Sequence, residues 1–297
     1  YQVGLAAALA CSAFVFLLGG GPVEMICSFI GAGLGNYVRR KMSDRHITMF
    51  AGIGVAVAVA CLSYLLALTV LQFGFHVSSR HEAGYIGAML FVIPGFPFIT
   101  SGLDLSKLDM RSGLERLAYA ALIVVVATLV GWVVAMAVNL RPENFPHLAL
   151  TPLVYMLLRL PASFCGVFGF SIMFNSTPKM AALAGLIGAV ANTTRLELVD
   201  LAQIPAGPAA FVGAMIAGLL AWIVKRKVRY PQISITVPSI VIMVPGLYMY
   251  RAMYNIGLTS ISVGALWLTK ALLIVIFLPL GLITARIITD TKWRHNG

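Results

Sequence analysis

Ten apolar runs of membrane-crossing length fill this chain, and most of its charges sit in the gaps between them. A helix needs about 20 predominantly apolar residues to cross a bilayer. Read by that length, the spans fall at about 2–20, 22–38, 48–71, 83–103, 115–139, 150–174, 179–198, 206–224, 233–256 and 264–288. The chain is 60% hydrophobic and 10% charged, against about 25% charged in a soluble domain. No single water-soluble core hides that much apolar surface. The expected fold class is an all-α polytopic membrane protein with ten transmembrane helices. Segment 6 is divided by Pro161: either it crosses whole, or 148–160 is an interfacial helix and the span proper starts at 161. Tyr1 opens directly on an apolar run, so the natural protein is expected to begin further upstream.

Basic residues set the orientation. With the N-terminus inside, the cytoplasmic segments carry Arg39, Arg40, Lys41, Arg45, Lys107, Arg111, Arg116, Lys179, Lys225, Arg226, Lys227, Arg229, Arg286, Lys292 and Arg294. The outer segments then carry Arg80, Arg141, Arg195 and Arg251, while Arg159 and Lys270 fall within spans. That bias has the sign of the positive-inside rule and puts both ends in the cytoplasm of a bacterial inner (plasma) membrane. It also reads the net charge of +11 as loop charge facing a lipid bilayer, with no nucleic acid as partner. Cys11, Cys27, Cys61 and Cys165 lie in apolar runs; they read as small packing residues, with no disulfide and no metal site.

The chain repeats itself. FVIPGFPF (91–98) matches IMVPGLYM (242–249), ALIVVVATLVG (121–131) matches ALLIVIFLPLG (271–281), and FVF (14–16) before GAG (31–33) matches FGF (168–170) before GLI (185–187). Each copy holds five spans, so the second enters the membrane upside down. The charged loops swap sides between the copies as that requires. The expected domains are two inverted five-span repeats, 1–140 and 141–297.

Each copy contains a helix broken by proline and glycine. Proline removes a donor and disrupts the turn before it; the freed groups survive in a membrane only when buried in protein or facing a wet cavity. Such breaks are a feature of secondary transporters. They offer an amino acid donors for its carboxylate and acceptors for its ammonium. In copy one, Pro94, Gly95 and Pro97 precede Thr100, Ser101 and Asp104. Thr100 and Asp104, four apart, share a helical face. Asp104 takes an ammonium or a proton, or else it marks the cytoplasmic end of the span near Lys107. In copy two, Pro245 and Gly246 precede Tyr248, Arg251 and Asn255, again on one face. Arg251 holds a substrate carboxylate, or else it is an interfacial arginine with its head in water. Glu24, third residue of the helix that Pro22 of GGGP opens, is a cap favoured by the helix dipole or a second proton-coupling candidate. Arg159 is an intramembrane charge if segment 6 crosses whole, and ordinary if it does not. Asn175 caps a helix or binds substrate. Asn192, Thr193 and Thr194 form a polar patch read as helix–helix glue, and Gly31 with Gly35 a small packing face.

The chain contains no GxxxxGK[ST] loop, HExxH, GxSxG or His/Cys cluster. It is therefore read as no enzyme, with no cofactor.

FVIPGFPFITSGLDLSKLDMRSGLERL (91–117), FGFSIMFNSTPKMAALAGLIG (168–188) and VPSIVIMVPGLYMYRAM (237–253) resemble the threonine/serine exporter family over nearly the whole chain. Asp104, Gly113 and Arg116 resemble the pattern of the family's first half. Phe170–Asn175, Pro178 and Pro245–Gly246 resemble its second. The resemblance implies a secondary transporter that exports threonine and serine, driven by the proton gradient, with both membrane halves fused and the family's soluble region absent ahead of the first span. It leaves a dicarboxylate (succinate) exporter as the alternative. A passive channel, a non-transporting scaffold and a homo-oligomer remain open.

Overall fold

In hydrocarbon a backbone has nothing to hydrogen-bond except itself, so apolar runs of this length fold as helices. The computed structural model describes residues 2–76, 82–138, 140, 148–225, 230–258 and 260–290. Among them are twelve α-helices and no strand. They are α1 (Gln2–Leu17), α2 (Pro22–Asp44), α3 (Met49–Phe75), α4 (Glu82–Met89), α5 (Gly95–Ser106), α6 (Met110–Ala137), α7 (Pro152–Met173), α8 (Pro178–Asp200), α9 (Ala206–Lys225), α10 (Gln232–Val241), α11 (Gly246–Leu258) and α12 (Ile261–Thr289). Each of the ten expected runs is one helix or one broken pair. Of the loop charges, Arg80, Arg141, Arg226, Lys227, Arg229, Lys292 and Arg294 lie outside the described residues.

Six described helices are long and apolar enough to cross a membrane, and up to eight if each bent pair is one span. The count of ten is reached only if α1 and α2 also cross. At 16 residues α1 is short for a span, and α2 ends in the charged stretch Arg39–Asp44. Segment 6 is a single helix: Pro161 sits inside α7, which runs unbroken from Pro152 to Met173. The separate interfacial helix ending at residue 160 does not form. Arg195 and Arg251, assigned above to outer segments, lie within α8 and α11.

The chain divides into two compact units, one of Tyr1–Ile93, Ala121–Tyr155 and Gly246–Trp267, the other of Pro94–Ala120, Met156–Pro245 and Leu268–Gly297. In the first, α2 packs on α1, α3 and α4. Its glycine face makes that approach: a Cβ on Gly31 would stand 2.7 Å from the Ala60 carbonyl oxygen, and one on Gly35 2.7 Å from the Ala60 Cβ. In the second, α8 packs on α9 and α10, and a Cβ on Gly188 would stand 2.7 Å from the Ser239 carbonyl oxygen.

The turns that lead into α2 and α8 are built alike. After α1, the Gly19 N–H donates to the Phe16 carbonyl and the Gly20 N–H to Val15, with Gly19 at φ 93°. After α7, the Asn175 N–H donates to Ile172 and the Ser176 N–H to Ser171, with Asn175 at φ 62°. Both are the paired C-terminal bonds of a helix closed by a left-handed residue, and Pro22 and Pro178 then open the next helix. Asn175→Ala is expected to destabilise the purified chain by about 1 kcal/mol, the cost of a left-handed alanine, while Asn175→Gly leaves its thermal midpoint unchanged or raised. Asp109, in the turn before α6, accepts the Ser112 N–H at 3.2 Å. The Ser112 side chain, and then that N–H, hold the Asp109 carboxyl below its usual range. This cap is present at neutral pH and is lost as pH falls through the lowered value.

Candidate substrate site

Two helices break in mid-course. α4 passes into a 3-10 turn at Leu90–Val92, Pro94 stands at φ −82°, ψ 61°, and α5 resumes at Gly95 with a bend of 59°. α10 ends at Val241, and α11 resumes at Gly246 after Pro245 with a bend of 49°. Short i→i+3 bonds close both first halves: the Ile93 N–H donates to Leu90 at 3.1 Å and the Val244 N–H to Val241 at 3.2 Å. Pro97 has no N–H, and Phe98 is bonded to the Pro94 carbonyl at 3.2 Å, so the donors of the first turn of α5 are Gly95 and Phe96. A helix start of this kind carries partial positive charge and a helix end partial negative charge.

Each glycine at a break makes room for a helix end from the other half of the sequence. A Cβ on Gly95 would stand 2.6 Å from Val241 Cγ2 and 3.1 Å from Val244 Cγ2, within the second unit. A Cβ on Gly246 would stand 2.6 Å from Leu90 Cδ2 and 3.3 Å from Ile93 Cγ1, within the first. In both units, then, the N–H end of one half-helix lies beside the C=O end of another. That pairing suits a zwitterion, with carboxylate at the first and ammonium at the second, and uses no side-chain charge.

The side chains named from the sequence separate into several environments. Thr100 Oγ1 donates to its own helix, to the Phe96 carbonyl at 3.0 Å, and Ser101 Oγ to the Gly113 carbonyl of α6 at 2.7 Å; both residues are buried. Asp104 is paired with Arg116 at 3.0 Å, where the arginine is half exposed. Lys107, its expected neighbour, is the C-cap of α5 and donates its N–H to the Asp104 carbonyl. Gly113 and Arg116 thus anchor α5 to the start of α6. Asn175 is the left-handed cap described above, and its neighbour Phe174 reaches the break, with its ring 5.3 Å from that of Phe96. Glu24 is buried in the first turn of α2, over its own helix start: a Cβ on Gly21, the N-cap, would stand 3.0 Å from Glu24 Oε2.

Arg251 is not a water-facing arginine. It is 9% exposed, and its guanidinium carbon lies 4.8 Å from the centre of the Trp267 ring. Tyr248 packs on the same tryptophan at 5.2 Å, and the Asn255 amide donates to the Arg251 carbonyl at 2.7 Å. Trp267 was missed by sequence reasoning, because it lies beyond the loop that ends α11. Arg39 was missed too. Its Nη1 donates to the Phe91 carbonyl at 3.4 Å, at the end of the first broken half-helix. Asn36-x-x-Arg39 in α2 has a counterpart in Asn192-x-x-Arg195 in α8, and both asparagines reach the preceding helix: Asn36 to the Val3 carbonyl at 3.1 Å, Asn192 to Ser163 Oγ at 2.9 Å. That repeated spacing was the available signal. Arg159, left open by the sequence, is 7% exposed and bound to Glu197 and Asp200.

A cavity of about 350 Å³ opens beside α5, lined by Phe98, Ser101, Leu105, Leu117, Val275 and Pro279 among others. Its walls are mostly hydrocarbon, which suits an acyl chain of the bilayer better than a hydrophilic solute. Among the described residues no group of His, Cys, Asp and Glu is arranged to hold a metal ion.

Apolar helices in series, two of them broken at Pro-Gly and the second of these carrying the buried Arg251, are the build of a multi-pass membrane transporter. Residues 1–139 match the family model of a threonine/serine exporter, and residues 159–288 match a second one, "Threonine/Serine exporter, ThrE". The chain belongs to the threonine/serine exporter family, with both family regions on one polypeptide. Among curated proteins it is similar to the "Probable succinate transporter subunit YjjP" of Escherichia coli K12, 28% identical over 138 residues, which are 46% of this chain and 52% of that one. The protein of the same name from Klebsiella aerogenes is 28% identical over 131 residues, 43% of this chain and 48% of that one. An uncharacterized protein of Haemophilus influenzae is 27% identical over 139 residues, 42% of this chain and 44% of that one. The chain spans about half the length of the curated relatives it matches. No solved structure matches it.

Proposed function

We propose that this chain exports threonine and serine in exchange for protons, from a bacterial inner membrane in which both chain ends are cytoplasmic. Two inverted five-span copies, 1–140 and 141–297, form the transporter. The observation that carries the reading is the pairing at the breaks: Gly95 against Val241 and Gly246 against Leu90. The backbone around Pro94, Gly95 and Pro97, and around Pro245 and Gly246, supplies donors and acceptors to the zwitterion. Tyr248 and Arg251 recognise its carboxylate. Thr100 and Ser101 hold the α5 half-helix through their carbonyl bonds and lend their hydroxyl oxygens as acceptors. Alike turns before α2 and α8 and the repeated Asn-x-x-Arg support the two-copy architecture. Asp104, with Arg116, acts as the clasp between α5 and α6, and Glu24 and Asn175 act as helix caps.

A second reading is favoured by the relatives named as succinate transporter subunits: a dicarboxylate in place of an amino acid. Those proteins are named as subunits, whereas both family regions are present here, so this chain is taken to work without a separate partner half.

Efflux of labelled threonine, serine and succinate from proteoliposomes, with and without a pH gradient, tests the reading. Threonine and serine are expected to leave faster with the gradient. Movement of succinate alone establishes the second reading, flux indifferent to the gradient makes the chain a channel, and movement of none of the three ends the exporter reading. Asp104→Asn is expected to lower the thermal midpoint slightly, by about 1 kcal/mol or less for a pair this exposed, and to leave the gradient dependence as it is. Loss of that dependence would return Asp104 to the proton pathway.

A further inference from the structure

Three buried tyrosines stand in a row inside the first compact unit: Tyr64 of α3, Tyr85 of α4 and Tyr250 of α11. Tyr85 is the middle one. Its ring centre lies 6.1 Å from that of Tyr64 and 6.5 Å from that of Tyr250, edge-on to both at 75° and 65°. Its hydroxyl donates to the Gly131 carbonyl of α6 at 2.5 Å. Gly131 is where the helices converge: a Cβ there would stand 2.7 Å from Met89 Sδ of α4 and 3.3 Å from Tyr250 Cε2 of α11. One half of each broken helix therefore meets α6 at a single residue.

Each contact resists sliding for its own reason. A hydroxyl in a water-free interior is costly without an acceptor, and a helix carbonyl has a second lone pair to offer. Edge-to-face rings have a preferred geometry. Gly131, having no Cβ, lets Tyr250 come close to the α6 backbone. A tyrosine that only filled space at position 85 would need no acceptor, and phenylalanine would serve.

The half-helix α11 needs such a hold. It follows the Pro245–Gly246 break with its bend of 49°, so its rotation about its own axis is not inherited from α10. Tyr250 and Tyr254, four apart, share one face, with ring centres 6.3 Å apart. Arg251 and Asn255 lie one residue further round the helix, and there Arg251 meets Trp267. Near its end Gly257 lies against Trp132 of α6, where a Cβ would stand 3.1 Å from Trp132 Cζ2. Whatever fixes the direction of Tyr250 thereby fixes that of Arg251.

We propose that Tyr85 is a positioning residue for substrate recognition: through its ring on Tyr250 and its hydroxyl on Gly131 it sets the rotation of α11, and so keeps Arg251 on Trp267 for the substrate's carboxylate. The proposal rests on the exporter reading above, in which Arg251 takes that carboxylate. Tyr85 acts through the helix and is not itself a ligand.

The test is efflux of labelled threonine from proteoliposomes of the purified full chain, over a range of internal threonine concentrations, with the thermal midpoint measured beside it. Tyr85→Phe keeps the ring and removes the hydroxyl. It is expected to raise the apparent KM about fivefold, what one net hydrogen bond is worth, and to leave the maximal rate near that of wild type. Thr128→Val removes another buried hydroxyl, one of α6 that bonds the Val124 carbonyl, and should keep the wild-type KM. Added to Arg251→Lys, Tyr85→Phe should raise KM no further, because a residue that acts through Arg251 then has nothing left to position. A wild-type KM in Tyr85→Phe overturns the proposal. So does a fall in maximal rate and midpoint at constant KM, which makes Tyr85 a packing residue. A matching rise in Thr128→Val, or a rise of the same size on top of Arg251→Lys, overturns it as well. Arg251→Lys with the KM of wild type brings down the carboxylate reading of Arg251 first, and the proposal with it; a wild type that moves no threonine does the same to the exporter reading.

Discussion

Arg159→Met alone is expected to cost the purified chain about 3 kcal/mol of stability, the lower end of the range for breaking a buried ion pair from one side. The arginine itself is not the main loss. The substitution strands Glu197, whose side chain is 16% exposed, beside a methionine and with no cation in reach on α9 or α10. Asp200, at 47% exposure, recovers much of its hydration, which is why the figure sits at the low end. Removing the anions together with the cation should restore most of the stability, since apolar replacements of a whole buried pair are often neutral. Thermal unfolding in detergent, followed by loss of a monodisperse elution peak, measures both. Equal midpoints for the single and the charge-free chains would mean that Glu197 is hydrated in solution and that the α7–α8 contact is looser than its 2.7 Å bond implies.

The same cluster marks the limit of sequence reasoning here. Span positions were readable because bilayer thickness imposes a length, and helices such as Met49–Phe75, which carries no charged residue, meet it. The breaks were readable because proline and glycine act through the backbone, whatever surrounds them. The partners of Arg159 were not readable in that way, because Glu197 lies 38 residues away and sequence does not say which faces of α7 and α8 meet. One local clue did exist. Glu197 and Asp200 close the last turn of a helix that has no basic residue there, where the dipole disfavours anions. Two misplaced carboxylates three residues apart called for a cation from elsewhere. Arg251 failed differently. Hydropathy put it at a span edge, and Trp267, supplied by the next helix, helps to bury it.

Arg251→Lys is expected to reduce transport roughly thirtyfold, the equivalent of about 2 kcal/mol for a desolvated cation–π contact and a planar fork lost together. Charge is conserved in this substitution, so a role resting on charge alone predicts little change. The guanidinium carbon lies 4.8 Å from the centre of the Trp267 ring, and a planar guanidinium keeps its N–H edges in one plane. That is the geometry that meets a carboxylate with two parallel bonds, and an ammonium on a flexible stem does not reproduce it. Trp267→Leu should give a similar loss with Arg251 intact, because the cation–π contact is removed. Tyr248→Phe, which keeps the ring packed 5.2 Å from the tryptophan and removes one hydroxyl, should cost much less. The effect belongs in apparent substrate affinity if the arginine binds carboxylate, so initial rates across a range of threonine concentrations separate it from a folding defect. A lysine chain with wild-type affinity would remove Arg251 from the site and leave substrate recognition on the α11 side to the backbone at Gly246.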